Sequence, residues 1–255
     1  MTDTPHPTPD PGPDLVPARS TPPVFTGQDL AEADLARADL GGADFTGADL
    51  TGADLTGANL AGAVFSGAVL DGARFTGADL TGARLDGSSC LFTDLRRITA
   101  PGVVLDGADL TAALLDGADL TGASLDRARL EGASLRGTVL DGACLTGADL
   151  RAADAARADL TGADLTGADV TEAVLAGAEL SGTRFASTAG AAIGVFHARN
   201  ATHWSTGQVM ARIADDLGLT EYREQVEPVI EHARAAGLDT TAPRTSAAPP
   251  PISWA

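Results

Sequence analysis

The chain has no lysine, and all 17 of its cationic residues are arginine. They stand against 35 aspartate and glutamate residues, which gives a formal net charge of −18 at pH 7. Because each contact to a phosphate needs a cation, this balance argues strongly against direct binding to nucleic acid. It allows a basic protein partner, and it also serves solubility.

Long apolar runs are absent, and no segment approaches the length of about 20 residues that spans a membrane. Residues 1–23 contain eight prolines but neither a basic start nor an apolar core, so they do not read as a signal peptide. We interpret 1–23 and 239–255 as disordered tails. A cytoplasmic protein is the simplest interpretation of these features.

Catalytic signatures are also missing. The sequence contains no phosphate-binding glycine loop, no dinucleotide fingerprint, no HExxH and no paired CxxC. His197 and His203 offer only two candidate ligands with no cysteine nearby, so a role on the surface or in a cap is favoured over a metal site. These absences predict a protein that is not an enzyme and binds no cofactor.

What the chain has in abundance is a five-residue repeat. From Phe25 to Phe185, every fifth position is central to one unit, and 24 of these 33 positions are leucine. Alanine stands two residues before the central residue at 25 positions, and aspartate is the commonest residue directly before it. Glycine stands two residues after it at 23 of 32 positions. The unit reads Ala-Asp-Leu-Thr-Gly, as in residues 48–52.

A period of five fits neither a helix nor a strand. In an α-helix the leucines would wander round every face, and in a strand they would alternate between the two sides. Only a chain that turns a corner once per unit keeps all leucines on the inside, with glycine supplying the corner. The sequence therefore predicts a coil stacked on itself, an all-β solenoid.

Two spacings indicate how many units form one coil. Phe25, Phe45 and Phe65 lie 20 residues apart, and Phe185 falls in the same phase. Asp86, Asp106 and Asp126 also recur every 20 residues. Four units per coil would stack each set on one side of the solenoid.

The unit resembles that of the pentapeptide-repeat family, whose pattern is Ala, then Asp or Asn, then Leu, then two loosely specified residues. The resemblance covers roughly residues 24–185 and implies a right-handed quadrilateral β-helix of about eight coils. Some members with this fold bind DNA gyrase as mimics of duplex DNA and protect it from topoisomerase poisons. The resemblance thus implies a possible gyrase partner, whereas a generic protein-interaction scaffold is the alternative.

The five-residue period stops after Phe185. We expect the β-helix to occupy 24–187 and a helical C-terminal cap to occupy 188–238. The residues expected to form the cap, or a two-fold dimer through these helices, are Trp204, Val209, Ile213, Tyr222, Val226 and Ile230.

Outward acidic residues are the candidate partner-binding surface. Four units per coil would stack Asp86, Asp106 and Asp126 in one column. A second column would contain Asp39, Asn59, Asp79, Thr99, Asp119, Val139, Asp159 and Glu179. The alternative is that aspartate before the inward leucine is a default residue that bonds to local backbone N–H groups.

One stretch, from Asp86 to Val104, departs from the repeat without losing phase. It favours a repacked coil in which Ile98 fills the space that Ala100 leaves. The alternative is a bulged surface bearing Arg96 and Arg97. Cys90 takes an inward position here and Cys144 an outward one, nearly three coils away, so they cannot form a disulfide.

Overall fold

The computed structural model describes residues 21–184 and Thr188. Parallel β-bridges occur at every fifth residue, and each joins a residue to the one 20 positions later, from Val24–Asp44 to Asp164–Arg184. One turn of the chain therefore takes 20 residues, as the phenylalanine and aspartate spacings predict. Residues 24–183 form eight coils, which at about 4.8 Å per coil make a rod about 38 Å long.

Each side of a coil contributes one bridged residue rather than an extended strand, and the described residues form no helix. Turns join the sides, as in Leu50–Ala53, where the N–H of Ala53 donates to the carbonyl of Leu50 at 3.0 Å. Gly52 has a φ of +67° in this turn, a region open to glycine and strained for other residues. Glycine recurs in the repeat because the turn at each corner needs this backbone conformation.

The interior is filled by the two inward residues of each unit. Leucines such as Leu50 and Leu130 and alanines such as Ala48 are fully buried. Phe25, Phe45 and Phe65 stack along the rod with ring centroids 4.9 and 4.7 Å apart. The predicted phenylalanine column is therefore confirmed over these three coils, whereas Phe185 lies outside the described residues.

The rod has four sides, which we number faces 1 to 4 in chain order. Each face consists of a column of bridged residues together with the two turn residues that follow each inward side chain. The bridged columns begin at Val24 for face 1, Asp29 for face 2, Asp34 for face 3 and Asp39 for face 4, and each continues in steps of 20. Faces 2 and 4 lie on opposite sides of the rod.

The stretch from Asp86 to Val104 is a repacked coil. The bridges continue through it without interruption, so the chain does not bulge there. Ile98 and Ala100 are both buried, as a repacked coil in which Ile98 fills the space beside Ala100 requires. Cys90 is buried and Cys144 half-buried, and both are free thiols.

Threonine replaces alanine at three inward positions, one of them within this stretch, and remains buried. The hydroxyls of Thr93, Thr138 and Thr183 donate to carbonyls 23 residues earlier at 2.7–2.8 Å. These bonds satisfy a polar group that burial would otherwise destabilise. The bulkier side chain lengthens the local turn bond to 3.2–3.3 Å, compared with 2.8–3.1 Å where alanine stands.

The β-helix predicted for 24–187 is thus found over 24–184. The predicted helical cap at 188–238, with Trp204, Val209, Ile213, Tyr222, Val226 and Ile230, lies outside the described residues apart from Thr188. The two predicted tails lie outside them as well, except for residues 21–23.

Candidate protein-binding surface: the acidic faces

Face 4 carries acidic residues and, within residues 21–184, no arginine. Its second turn position is glycine in all eight coils, so no side chain projects along that corner. The bridges place the predicted column from Asp39 to Glu179 on this face. Its acidic residues are Asp39, Asp79, Asp119, Asp141, Asp159 and Glu179. The surface is therefore of one sign along the length of the rod.

Face 2, on the opposite side, is the second acidic surface. It carries two arginines, Arg129 and Arg151, both of which are ion-paired on this face. Its acidic residues are Asp29, Glu32, Asp49, Asp71, Asp109, Glu131, Asp149, Asp169 and Glu172. The excess of acids over arginines is seven on face 2 and six on face 4.

Faces 1 and 3 separate these surfaces and are close to neutral. Face 3 holds five acids and six of the 11 arginines between residues 24 and 184. Three of the arginines pair with acids on the same face, in Arg74–Asp54, Arg96–Asp94 and Arg136–Asp154. Face 1 holds five acids and three arginines. The charge of the rod is therefore concentrated on two opposite faces.

The turn that follows holds four of the six acidic side chains of face 4 in place, those of Asp79, Asp119, Asp159 and Glu179. One oxygen of Asp119 accepts a hydrogen bond from the backbone N–H of Thr121 at 3.1 Å and one from its hydroxyl at 2.6 Å. Asp79 and Asp159 make the same pair of bonds to their own turns. The second carboxylate oxygen takes no hydrogen bond from any described residue in these three aspartates. Each charge is thus fixed in position and still offers one oxygen to a partner.

Spacing limits repulsion along face 4. Asp39, Asp79, Asp119 and Asp159 stand on alternate coils, about 9.6 Å apart at the sheet spacing. This separation is close to the Debye length at physiological salt, so the aspartates repel one another weakly. Asn59 lies between the first two and donates to Asp39 at 2.8 Å.

The same turn chemistry stabilises the charged form of carboxylates elsewhere on the rod. Hydrogen bonds from Thr166 and Arg184 lower the pKa of Asp164, on face 1, to about 2. The hydroxyl and the N–H of Thr51 lower the pKa of Asp49 on face 2. These groups stay ionised well below neutral pH, and the backbone bonds show that the aspartate before leucine supports the turn as well as the charge.

The column of Asp86, Asp106 and Asp126 stacks on consecutive coils of face 1, as predicted. Its carboxylates contact neighbouring residues. Asp106 accepts bonds from Ser124 at 2.6 Å and from the N–H of Asp126 at 3.0 Å. Burial raises the pKa of Asp86, but hydrogen bonds from Ser66 and Arg84 outweigh it and leave that pKa lowered. Asp86 and Asp106 therefore bond to residues of a neighbouring coil, whereas Asp79, Asp119 and Asp159 bond to their own turns, a difference that charge counting alone did not reveal.

Other kinds of site find no support in the described part of the chain. No group of three or more acidic, histidine or cysteine residues there could hold a metal ion. No helix there is long and apolar enough to cross a bilayer. The one reactive side chain of the core, the Cys90 thiol, is buried, and burial raises its pKa to about 12.

The described residues form a four-sided solenoid of five-residue units with charge sorted onto two opposite faces. The family model for pentapeptide repeats matches eight segments that together cover residues 24–151 and 153–188. The chain therefore belongs to the pentapeptide-repeat family, whose members form right-handed quadrilateral β-helices.

Solved structures agree with this membership. HetL, a pentapeptide repeat protein involved in heterocyst differentiation regulation in the cyanobacterium Nostoc sp., is 35% identical with a TM-score of 0.62. The match covers 64% of this chain and 74% of HetL. A trypsin-treated form of QnrB1, a plasmid-mediated fluoroquinolone resistance protein, is 21% identical with a TM-score of 0.51, over 64% and 81% of the two chains. At that identity the likeness to QnrB1 shows the fold alone. A search of curated protein sequences gave no match.

Proposed function

We propose that this protein is a non-enzymatic acidic rod that binds a cationic groove on a partner protein. The first candidate is the groove in which a type II topoisomerase, such as gyrase, binds duplex DNA. The single observation that supports it best is the sorting of charge: two acidic faces on opposite sides of the rod, with near-neutral faces between them. A groove that encloses DNA presents cations on both sides and would meet both faces.

The linear charge density of the rod is within a factor of two of that of DNA. Residues 24–184 contain 25 acids and 11 arginines, a balance of −14. Spread over about 38 Å, this is one charge per roughly 2.7 Å, whereas duplex DNA carries one per about 1.7 Å. A groove that attracts DNA would therefore attract the rod, and more strongly at low salt.

The proposed resemblance to DNA lies in the electrostatic field, not in the positions of the charged atoms. The aspartates of face 4 stand about 9.6 Å apart, while phosphates on one strand lie closer, at about 7 Å. Carboxylates fixed by their own turns lose little conformational freedom on binding, which favours affinity. The column of Asp86, Asp106 and Asp126 would add to the field from face 1.

A regulatory scaffold is the second candidate, and HetL is the observation that favours it. That protein is 35% identical over most of its length and is described as involved in the regulation of differentiation. On this account the same acidic faces would bind a basic regulatory protein in the cytoplasm. Dimerisation through residues 188–238 would double the length of the rod in either case.

The test is a supercoiling assay with purified gyrase and increasing amounts of the full-length protein. The topoisomerase account predicts inhibition of supercoiling, or protection from quinolone-stabilised cleavage, that weakens as salt rises. Circular dichroism on the same sample shows that the protein is folded. Folded protein without effect at tens of micromolar would contradict the topoisomerase account and leave the scaffold as the better one.

A further inference from the structure

Exposed apolar side chains on this rod are few, and most of them lie together. Among the described residues, Val24, Val69, Phe92 and Leu114 are the exposed large hydrophobics. Val24 stands at the first coil. The other three lie in coils 3 to 5, around the corner between faces 2 and 3. We call Val69, Leu91, Phe92 and Leu114 the apolar stripe.

The backbone ladder places these residues side by side. Val69 is bridged to Ser89, two residues before Leu91 on the next coil. The N–H of Leu114 donates to the carbonyl of Thr93, the residue that follows Phe92, at 2.9 Å. The stripe therefore runs diagonally across one corner of the rod and covers three successive coils.

Phe92 is the most prominent member, with 69% of its surface exposed. It occupies a turn position where most units have glycine, and its φ of 56° lies in the left-handed region. A bulky residue is strained in that conformation. Exposure and strain both oppose stability at this position, and neither is offset by packing. A large aromatic in such a position is typical of an interface anchor rather than of a core.

The charges beside the stripe indicate what kind of partner surface it would bind. Asp49 and Asp71 flank it on face 2, and no arginine among the described residues pairs with either. On the face 3 side, Arg96 is neutralised by Asp94 at 2.7 Å and Arg74 by Asp54 at 2.9 Å. The rim of the stripe is therefore negative where it joins face 2, the more acidic of the two acidic faces.

We infer that the apolar stripe is the anchor by which the rod selects its partner: Phe92 enters an apolar pocket whose rim is cationic. This inference rests on the proposed function, because the acidic faces supply the long-range attraction and the stripe adds short-range specificity. The partner we propose is the protein whose cationic groove receives face 2, and gyrase is the first protein to test.

Two glycine substitutions distinguish the effect of the Phe92 side chain on binding from its effect on stability. Phe92 and Ala112 occupy the same corner on successive coils with the same φ of 56°. Phe92→Gly and Ala112→Gly both relieve the left-handed strain, so both variants should melt no lower than the parent. Only the first removes the aromatic side chain. Leu114→Ser gives a second loss of apolar surface, at a position bridged to Ser134.

The experiment measures inhibition of gyrase supercoiling by the parent and the three variants at two salt concentrations. We expect Phe92→Gly to raise the half-inhibitory concentration about tenfold or more, the loss expected for one hot spot. Leu114→Ser should raise it less, and Ala112→Gly should leave it unchanged. Because no charge is altered, the salt dependence should stay the same in all four proteins.

Other results would overturn the inference. If the parent inhibits and Phe92→Gly inhibits equally well, the anchor is wrong while the proposed function stands. If the parent has no effect, gyrase is not the partner, and both the proposed function and the proposed role of Phe92 are wrong. Light scattering distinguishes one more occupant: a parent dimer that Phe92→Gly converts to monomer would show that the stripe binds a second copy of this chain.

Discussion

Faces 3 and 4 of the rod are adjacent, are built from the same unit and cover the same core, yet their surfaces differ in kind. Face 3 carries six arginines and ion-pairs three of them with its own acids. Face 4 carries six acids without an arginine, and glycine fills its second turn position in every coil. The two faces differ at their bridged and turn residues, which do not fill the core.

This comparison separates the residues that build the rod from those that give it a surface. Inward leucine and alanine fill the interior, and a left-handed turn residue makes each corner. Arg37, Arg97 and Arg157 adopt the same left-handed φ as the glycines of face 4. The corner thus tolerates a side chain at some cost, and glycine at every such corner of face 4 both avoids that strain and keeps the corner free of side chains.

The largest effect should come from the inward positions that both faces share. Leu130 is fully buried in the sixth coil. Leu130→Ala should lower the free energy of unfolding by about 2–5 kcal/mol. Leu130→Asp should prevent folding, because the interior offers no partner for a charge. Thermal and urea unfolding followed by circular dichroism measures both, and an unchanged melting curve for Leu130→Asp would show that the position is not inward.

Substitutions at the corner positions should change the free energy of unfolding in opposite directions on the two faces. Gly122, on face 4, has a φ of +63° and open space around an added Cβ. Gly122→Ala should therefore cost about 1 kcal/mol from backbone strain alone. Arg97→Gly on face 3 should stabilise by a similar amount, since it relieves the same strain. Urea unfolding of both variants tests this, and a shift in the same direction for both would contradict the strain argument.

Acid should weaken the rod through its turn carboxylates. A carboxyl whose pKa is lowered by folding contributes stability above its unfolded pKa of 3.8, and that contribution is lost as pH falls through the folded value. For Asp164 the window runs from about pH 4 down to about 2. The melting temperature should fall across this window, and Asp164→Asn should make the fall shallower. An identical pH profile for the variant would contradict the role of this carboxyl.

The smallest effect should come from the ion pairs of face 3. The side chains of Arg74 and Arg136 are 60% and 66% exposed. Exposed pairs contribute about 0–1 kcal/mol, so Arg74→Gln and Arg136→Gln should each change the free energy of unfolding by less than that. Unfolding in urea at low and high salt is the measurement. A loss comparable to that of Leu130→Ala would mean that these pairs hold the coil together.

The sequence predicts the fold of the repeat region almost completely. A five-residue period admits few chain geometries, and the spacing of Phe25, Phe45 and Phe65 already indicates 20 residues per coil. The columns then follow by arithmetic, including the one from Asp39 to Glu179. Local repacking at Ile98 and Ala100 is predictable for the same reason, because the phase of the repeat is preserved on both sides.

The candidate surface is less predictable from the sequence. A residue count gives the net charge but not its division among faces, which requires the coil and its bridges. The hydrogen bonds of Asp106 to Ser124 and to the next coil depend on side-chain reach between coils, which no spacing reveals. Phe92 belongs to the irregular stretch that the sequence singles out, but its exposure and its left-handed backbone are apparent only in the structure.

The most direct test of the account compares charge removal on the two faces, with the number of charges removed and their position in the repeat matched. One variant replaces four bridged aspartates of face 4 by asparagine: Asp39, Asp79, Asp119 and Asp159. Its control replaces four bridged aspartates of face 3: Asp34, Asp54, Asp94 and Asp154. Both lose the same charge at the same position of the repeat.

The measurement is the concentration of each folded variant that half-inhibits gyrase supercoiling at low and moderate salt. The account predicts that half-inhibition by the face 4 variant requires about ten times more protein and depends less on salt than it does for the parent, although face 2 keeps its acids. The face 3 variant should stay close to the parent. Equal losses in the two variants would show that net charge alone matters and would contradict the assignment of the binding surface to the acidic faces.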